Sequence, residues 1–387
     1  MDNVHKYKQI KQTLNGITYK DYPLDRILGS YIATYIWSHP LKKLRFILYC
    51  IRYEYSLDQG KGLLITILSP RKSYLSLLQD YVAKKKYLGS SIKNIYHKRK
   101  GYKVLSIIFL SFLKNFFNYY DKKRGFHFNI IVLILIVNAK YLIDKLEREK
   151  YHYDNYIAFN SSYLFESFLC FYFKKRGRKT QSIQHGMYFN YLNDAPLDVI
   201  NYENICADEL LCWGEYSRKQ IYKHVHPSVK INVSGYPRIV SHETNQKKIN
   251  KILVLLPREI YLNEIKDLLH ILESINEKII IRPHPTIIQF IEKYASKKKN
   301  VEINTETDLL GIFKKYTYKA CIGFNSSSLF EAMIYRQNII RYNSTNNEFD
   351  LAEMPSFNNK GELYKAIDAS KFINTEYRYN LNYFFNL

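Results

Sequence analysis

Three short segments of the chain carry residue types that suit phosphate and proton chemistry, each at the end of an apolar run. Arg282-Pro283-His284-Pro285 follows the run Lys278 to Ile281. The two prolines fix the backbone on either side of His284 and stop a strand there. An imidazole held in that way can donate to a phosphate oxygen, with Arg282 beside it. Asn325-Ser326-Ser327-Ser328 joins a second apolar run to an amphipathic segment. Hydroxyls, helix N-terminal N–H groups and the positive end of the helix dipole then share one place, which is a phosphate cradle. Capping alone needs only one serine. Gln184-His185-Gly186 closes a third run. There Gly186 allows a tight turn and close approach of a substrate. Histidine is the usual general base because its unperturbed pKa is near neutrality, although a turn histidine is the plainer alternative for His185. Arg258, in Pro257-Arg258-Glu259, offers one more cation after an apolar run. Asp208, Glu209 and Glu215 are weaker carboxylate candidates.

The elements that must position these residues are legible mainly after residue 150. Strands are expected at Tyr156–Phe159, Thr180–Gln184, Glu209–Trp213 and Lys230–Val233, with helices at Tyr163–Phe173 and near Ser217–His224. Gly235-Tyr236-Pro237 breaks the pattern, and the polar stretch to Asn250 reads as a linker. Alternation restarts at Ile252–Leu256, a helix to Ile275, Lys278–Ile281, Ile287–Lys297, Asp308–Tyr316, Lys319–Gly323, Leu329–Arg336 and Asn338–Tyr342. Strands alternating with such helices mean βαβ units and parallel sheets. The expected organisation is a first domain over 1–235, a linker over 236–250 and a second domain over 251–387, with a last helix that could pack back on the first. The first 125 residues read as mostly helical with one strand at Leu63–Leu68. Ile130–Val137 is a strand-like core inside a helical pattern that periodicity cannot arbitrate.

An internal repeat supports two similar halves. Phe159-Asn160-Ser161-Ser162-Tyr163-Leu164-Phe165-Glu166-Ser167 matches Phe324-Asn325-Ser326-Ser327-Ser328-Leu329-Phe330-Glu331-Ala332. Each copy follows an apolar strand and opens a helix.

Composition narrows the class. The chain has 387 residues with 58 Lys plus Arg and 35 Asp plus Glu, a net charge of +23. Residues 1–190 hold 33 of the basic and 12 of the acidic residues, so nearly all the excess lies in the first half. Such a surface attracts an anionic membrane leaflet or nucleic acid, though AT-rich coding bias also yields Lys, Ile, Asn and Tyr. Basic clusters at Lys84–Lys86, Lys98–Lys100 and Lys122–Arg124 are either solvated helix ends or a membrane-facing surface. No nucleic-acid-binding signature accompanies the charge, and no nucleic-acid partner is expected. The five cysteines lack CxxC spacing, which points to a reducing compartment. No apolar leader opens the sequence, and the longest strongly apolar run is far short of the roughly 20 residues of a membrane span. A cytoplasmic protein bound peripherally to the inner face of the membrane is expected. GxxxxGK[ST], GxGxxG, HExxH and DxD are all missing, which makes a metal-independent reaction without a bound cofactor the simpler assumption.

Taken in order, these motifs resemble those of the GT-B-fold transferases of bacterial surface polysaccharides, over roughly residues 155–345. That group includes the CDP-glycerol glycerophosphotransferase type and the sialyl- and capsule transferases with an HP motif. Gln184-His185-Gly186 looks like the family's HG motif. Gly214-Glu215-Tyr216-Ser217-Arg218 and Gly235-Tyr236-Pro237-Arg238 look like the polymerases' segment before the hinge. Arg282–Pro285 looks like the HP motif and Ser326–Ser328 like the serine motif. The resemblance implies an α/β GT-B fold, two Rossmann-like domains with parallel sheets facing across a cleft. It implies His185 as catalytic base, and a donor phosphate and nucleotide site of His284, Arg282, Arg258, Asn325, Ser326, Ser327, Ser328 and Glu331. An acceptor side would hold Gln184, Gly186, Ser161 and Ser162, with no metal. Asn325 stands where the polymerases usually have aspartate, and Met187-Tyr188 replace the polymerases' Thr-Pro. These departures favour a sugar donor over glycerol phosphate. The implied partners are a nucleotide-activated sugar, with a cytidine nucleotide such as CMP-sialic acid favoured, a growing glycan or lipid-linked acceptor, and an anionic membrane surface. A CDP-glycerol or CDP-ribitol type transferase and a UDP-sugar transferase or epimerase remain the alternatives.

Overall fold

A computed structural model describes residues 3–68, 71–87, 89–101, 106, 110–114, 126–189, 197–240, 246–306, 308–344, 354–373 and 381–387. In chain order the early strands are β1 (Thr18–Tyr19), β2 (Tyr22–Pro23), β3 (Tyr53–Ser56), β4 (Leu63–Ile67), β5 (Ser91–Asn94) and β6 (Tyr96–Arg99). Then come β7 (Asn155–Ala158), β8 (Thr180–Ile183), β9 (Glu209–Cys212) and β10 (Lys230–Val233). The last group is β11 (Lys247–Leu255), β12 (Ile279–Arg282), β13 (Val301–Ile303), β14 (Tyr316–Gly323), β15 (Ile339–Tyr342) and β16 (Ser356–Phe357). One six-stranded sheet runs β10-β9-β8-β7-β4-β5 and the other β13-β12-β11-β14-β15-β16. Neighbours in both sheets are parallel. The α/β class with two Rossmann-like parallel sheets, expected from the sequence, is therefore what the chain forms.

Each order contains one place where the chain reverses its direction of travel, between β4 and β7 in the first sheet and between β11 and β14 in the second. The crevice outside the carboxyl ends at such a switch point is where open α/β sheets bind ligands. Both copies of the internal repeat lie there, because Phe159 follows β7 and Phe324 follows β14.

Two compact units contain these sheets. The first comprises Met1–His185, Tyr191–Cys212 and Arg218–Ser234, and the second Gly186–Asn190, Trp213–Ser217 and Gly235–Leu387. The second unit's core gathers Ile252 and Val254 of β11, Ile279 and Ile281 of β12, and Ala320 and Ile322 of β14. Ile265, Leu268, Leu269 and Leu272 cover them from the helix Leu262–Glu273, at the spacing that makes one apolar stripe.

Ile130–Val137 is helix and not strand. It lies within Phe126–Glu149, and Val132, Leu135, Ile136, Ala139, Leu142, Ile143 and Leu146 recur at helical spacing on the first unit's core. The repeat beyond the short apolar run decides the matter. The early region also holds more strand than expected, since β5 and β6 are polar sequences that pair at sheet edges and carry no apolar run. β11 starts inside the stretch read as linker, with Lys247, Lys248 and Ile249 pairing with Tyr316, Thr317 and Tyr318. Lys84 and Lys85 close the helix Lys72–Lys85, as a solvated helix end would. Lys100 is buried instead. Its Nζ donates to Cys50 O at 2.7 Å and Asn138 Oδ1 at 3.0 Å, and burial pushes it down to about 8. Lys122–Arg124 and most of Lys103–Tyr120 lie outside the described residues. All five cysteines are buried and free.

Candidate functional site

In the second unit the carboxyl ends of three consecutive strands carry the expected donor-side residues. His284 follows β12, Arg258 follows β11, and Asn325–Ser328 follow β14. His284 and the serines are thus not on neighbouring strands, because β11 runs between them. Two strand spacings of about 4.8 Å separate the strands they follow by about 10 Å, and the strand that leads to Arg258 lies between those two.

The turn after β12 holds the imidazole of His284. Pro285 opens a short 3-10 turn, and His284 Nδ1 accepts from Thr286 N at 3.3 Å with Thr286 Oγ1 at 2.9 Å. Nδ1 is therefore the acceptor, which places the ring proton on Nε2. Thr286 Oγ1 also accepts from Glu259 N at 3.3 Å, tying this turn to the one bearing Arg258. Arg282 points its Nη1 to Asn304 Oδ1 at 3.0 Å, on the β13 side, and burial holds its guanidinium below the ordinary arginine value.

The turn after β14 has a different economy. Gly323 lets the strand end approach β11, since a Cβ there would meet Leu255 O at 3.2 Å. Asn325 takes a left-handed φ of 46°, which asparagine tolerates better than most residues. Ser326 then caps the helix Ser327–Ile334, accepting from Ser328 N at 3.4 Å. One serine does the capping. Ser327 and Ser328 are part-exposed beside it. Four residues into the helix, Glu331 accepts from Tyr236 Oη at 3.3 Å. Burial raises its carboxyl, opposed by Arg238, the Tyr236 hydrogen bond and Arg282.

Gly186 belongs to this unit. Its φ is not left-handed, and an added Cβ would meet only Ser327 Oγ, at 4.0 Å. The glycine is therefore not demanded by a tight turn; it leaves open space beside Ser327. Gly214 and Gly235, in contrast, are demanded by packing. A Cβ on Gly214 would come within 2.4 Å of the Phe384 backbone, and Gly235 has φ 88° with Asn386 O at 2.8 Å. The C-terminal helix Leu381–Phe385 rests there on Trp213, Tyr216 and Tyr236. The two glycine motifs thus have a structural purpose that the sequence reading missed.

In the first unit His185 follows β8 at the carboxyl edge. Its ring lies 5.0 Å from that of Phe159 and 6.4 Å from that of Tyr74, and Arg71 covers Tyr74 at 5.5 Å. The expected acceptor residues behave otherwise. Ser161 and Ser162 are fully buried. Ser161 N donates to Ser182 Oγ, its Oγ accepts from Cys206 N and Ala207 N, and Ser162 Oγ donates to Asn160 Oδ1. Gln184 is also fully buried, its N–H in the ladder to Leu211 O at 3.0 Å. These three shape the edge and do not present groups on it. Asp208 and Glu209 stand at the start of β9, the edge away from His185. Asp208 holds Thr180 and Lys174, and Glu209 holds Gln181 and Lys179.

Glu166, at the position matching Glu331, is the functional-looking residue the sequence reading passed over; its recurrence in the repeat was the available signal. It is fully buried and accepts from Thr66 Oγ1 at 2.7 Å, Phe159 N at 3.0 Å and Asn160 N at 3.3 Å. Burial pushes its carboxyl up to about 8, against those three hydrogen bonds. It bolts β4 to β7 at the switch point. Among the described residues no three His, Cys, Asp or Glu side chains gather to ligate a metal.

No protein-family model matches the chain, and no curated protein sequence does. Solved structures match at low identity. A UDP-GlcNAc 2-epimerase of Methanocaldococcus jannaschii, in complex with UDP-GlcNAc and UDP, is 16% identical over 80% of this chain and 92% of its own, with a TM-score of 0.49. A variant of the wall teichoic acid polymerase TagF is 11% identical over 84% of each chain, TM-score 0.44. TarM is 15% identical over 63% of this chain and 54% of its own, TM-score 0.39. At identities and scores this low, nothing of those proteins' activities passes to this chain.

Proposed function

We propose that this protein is a glycosyltransferase of the GT-B type, taking a sugar from a nucleotide-activated donor and passing it to a surface glycan under construction. The observation that carries the reading is the second unit's switch point. A part-exposed serine turn at a helix N-terminus, a cation and a histidine with its tautomer fixed stand on three consecutive strand ends. A span of about 10 Å suits a nucleotide's phosphate and its flanking groups better than a single phosphate oxygen. His284 Nε2–H, the hydroxyls of Ser327 and Ser328 and the helix N-terminus would meet the charge that develops on the leaving phosphate. Arg258 would add a point of positive charge between them. His185 would take the proton of the acceptor hydroxyl as the glycosyl–phosphate bond breaks, in an inverting transfer that needs no metal.

A cytidine nucleotide donor and a lipid-linked or growing glycan acceptor complete the reading, with the enzyme working at the inner face of the membrane. The test is a panel of CMP, CDP, UDP and GDP in a thermal-shift or calorimetric titration. Cytidine nucleotides should raise the melting temperature most, and the rise should vanish in His284→Ala. A rise with UDP alone, together with conversion of a UDP-sugar in the absence of any acceptor, would replace this reading with an epimerase.

A further inference from the structure

Among the described residues no helix is long and apolar enough to cross a membrane. The helix Pro40–Arg52 nevertheless has two faces that each want to leave water. Its inner side packs Cys50, Phe46, Ile47 and Tyr49 on the first unit's core. Lys43 turns with that side to lie over Tyr35 at 5.3 Å. The outer side should then be polar from end to end. Instead Leu41, Leu44 and Leu48 occupy it, 66%, 57% and 37% exposed, at a spacing of three and four that makes one stripe. Arg45 and Arg52 are exposed on the same side, and Lys42 is exposed at its margin. The chain has no acidic residue between Leu28 and Tyr53. Directly after the helix, exposed Tyr53 on β3 pairs across to exposed Arg99 on β6, with Lys98 next to it.

We infer that this helix is the protein's seat on an anionic bilayer, lying in the plane of the interface with its leucines among the acyl chains and its cations among the headgroups. Leucines flanked by Lys and Arg, with a tyrosine at the margin, are the composition of an interfacial helix. A second copy of the chain is the competing occupant for an apolar stripe. A two-fold contact would set Lys42, Arg45 and Arg52 against their own copies, which like charge opposes. A phosphatidylglycerol surface offers the complementary sign. The inference rests on the reading above for its purpose, since a lipid-linked acceptor has to be met at a membrane, and not for its physics.

Co-sedimentation of the full chain with vesicles tests it. The parent should bind phosphatidylglycerol-containing vesicles, bind pure phosphatidylcholine at least tenfold more weakly, and lose part of its binding in high salt. Leu41→Ser/Leu44→Ser and Lys42→Glu/Arg45→Glu should each weaken binding about tenfold. Both pairs are exposed, so the melting temperature should not move. Binding by the leucine variant equal to the parent's would overturn the inference and leave only diffuse attraction to the basic unit. A concentration-dependent dimer in light scattering, dissolved by the leucine variant, would overturn it in favour of a second copy. Cytidine-nucleotide titration of the same variants keeps the two questions apart: unchanged nucleotide affinity with lost vesicle binding supports the seat. Absent nucleotide binding in the parent would sink the proposed function while leaving the vesicle result intact.

Discussion

The nine residues 159–167 and 324–332 are nearly one sequence, yet the two units spend them differently. In the first unit the polar groups are turned inward. Ser161 serves two backbone N–H groups, Ser162 serves Asn160, and Glu166 serves three donors across β4 and β7. Tyr163 stands where the second unit has Ser328, and Leu164 rather than the asparagine takes the left-handed φ, at 39°. In the second unit the asparagine makes the left-handed turn, one serine caps the helix, and the two serines after it are part-exposed. A strand–turn–helix motif can therefore be a structural bolt or a ligand cradle. What decides is where the left-handed residue falls, because it sets whether the helix begins at the serines or after them.

The largest effect should fall on chemistry beside the first copy. His185→Ala should lower transfer by about 10²–10⁴-fold, the usual contribution of a positioned base, with nucleotide affinity nearly unchanged. Full turnover in that variant, measured with a saturating donor, would remove the first unit from the chemistry.

Stability should sharpen the contrast next. Glu166→Ala removes three buried hydrogen bonds and leaves Asn160 N without its acceptor, while Thr66 Oγ1 keeps Tyr156 Oη at 2.8 Å and Phe159 N keeps Thr66 O at 3.2 Å, so a loss of about 2–3 kcal/mol is expected in chemical denaturation. Glu331→Ala gives up one hydrogen bond, and about 1 kcal/mol is expected. Equal losses would mean that the two copies are bolts alike.

Acidity offers a further separation. The Glu166 carboxyl is pushed up to about 8 in the folded chain, above an unfolded value of about 4.3. The folded state then holds the proton more tightly, so this group's contribution is complete below the unfolded value and is lost as pH rises through about 8. Stability should fall across that window by up to about 1.4 kcal/mol per pH unit. Glu166→Gln, which cannot titrate, should flatten the slope in denaturation curves taken at successive pH values; an unchanged slope would assign it to other groups.

The serines should divide in the same way, and the smallest stability change should come from the second unit. Ser161→Ala orphans two buried N–H groups and should cost about 2 kcal/mol, whereas Ser327→Ala should cost under about 0.5 kcal/mol. Urea midpoints at one pH compare them directly, and a reversed ranking would contradict the division of labour.

Much of this was legible from residue types alone, and the failures have physical causes. Most strands after residue 150 announce themselves as apolar runs closed by Pro, Gly or Asn, and the prolines around His284 mark its strand end; Val301–Ile303 and Ser356–Phe357, the two edges of the second sheet, are too short for that and were not expected. What the runs do not carry is strand order, so β11 was not seen to pass between His284 and the serine turn. Nor does a serine in sequence reveal its exposure: Ser161 and Ser326 differ only in what packs around them. Edge strands such as Ser91–Asn94 lack an apolar run and so were hidden in a region read as mostly helical. Gly214 and Gly235 looked like hinge punctuation because the C-terminal segment they admit lies some 150 residues further along the chain.

The central claim is that the serine turn of the second unit, and not its twin in the first, holds the nucleotide's phosphate. Calorimetric titration of the double variant Ser327→Ala/Ser328→Ala with the tightest-binding nucleotide, beside Ser161→Ala, tests it most directly. Loss of charge-assisted hydrogen bonds worth about 1.5–3 kcal/mol should weaken binding ten- to a hundredfold in the first variant. Ser161→Ala should bind as the parent does despite its lower melting temperature. Unchanged affinity in the double variant, or a matching loss in Ser161→Ala, would contradict the account.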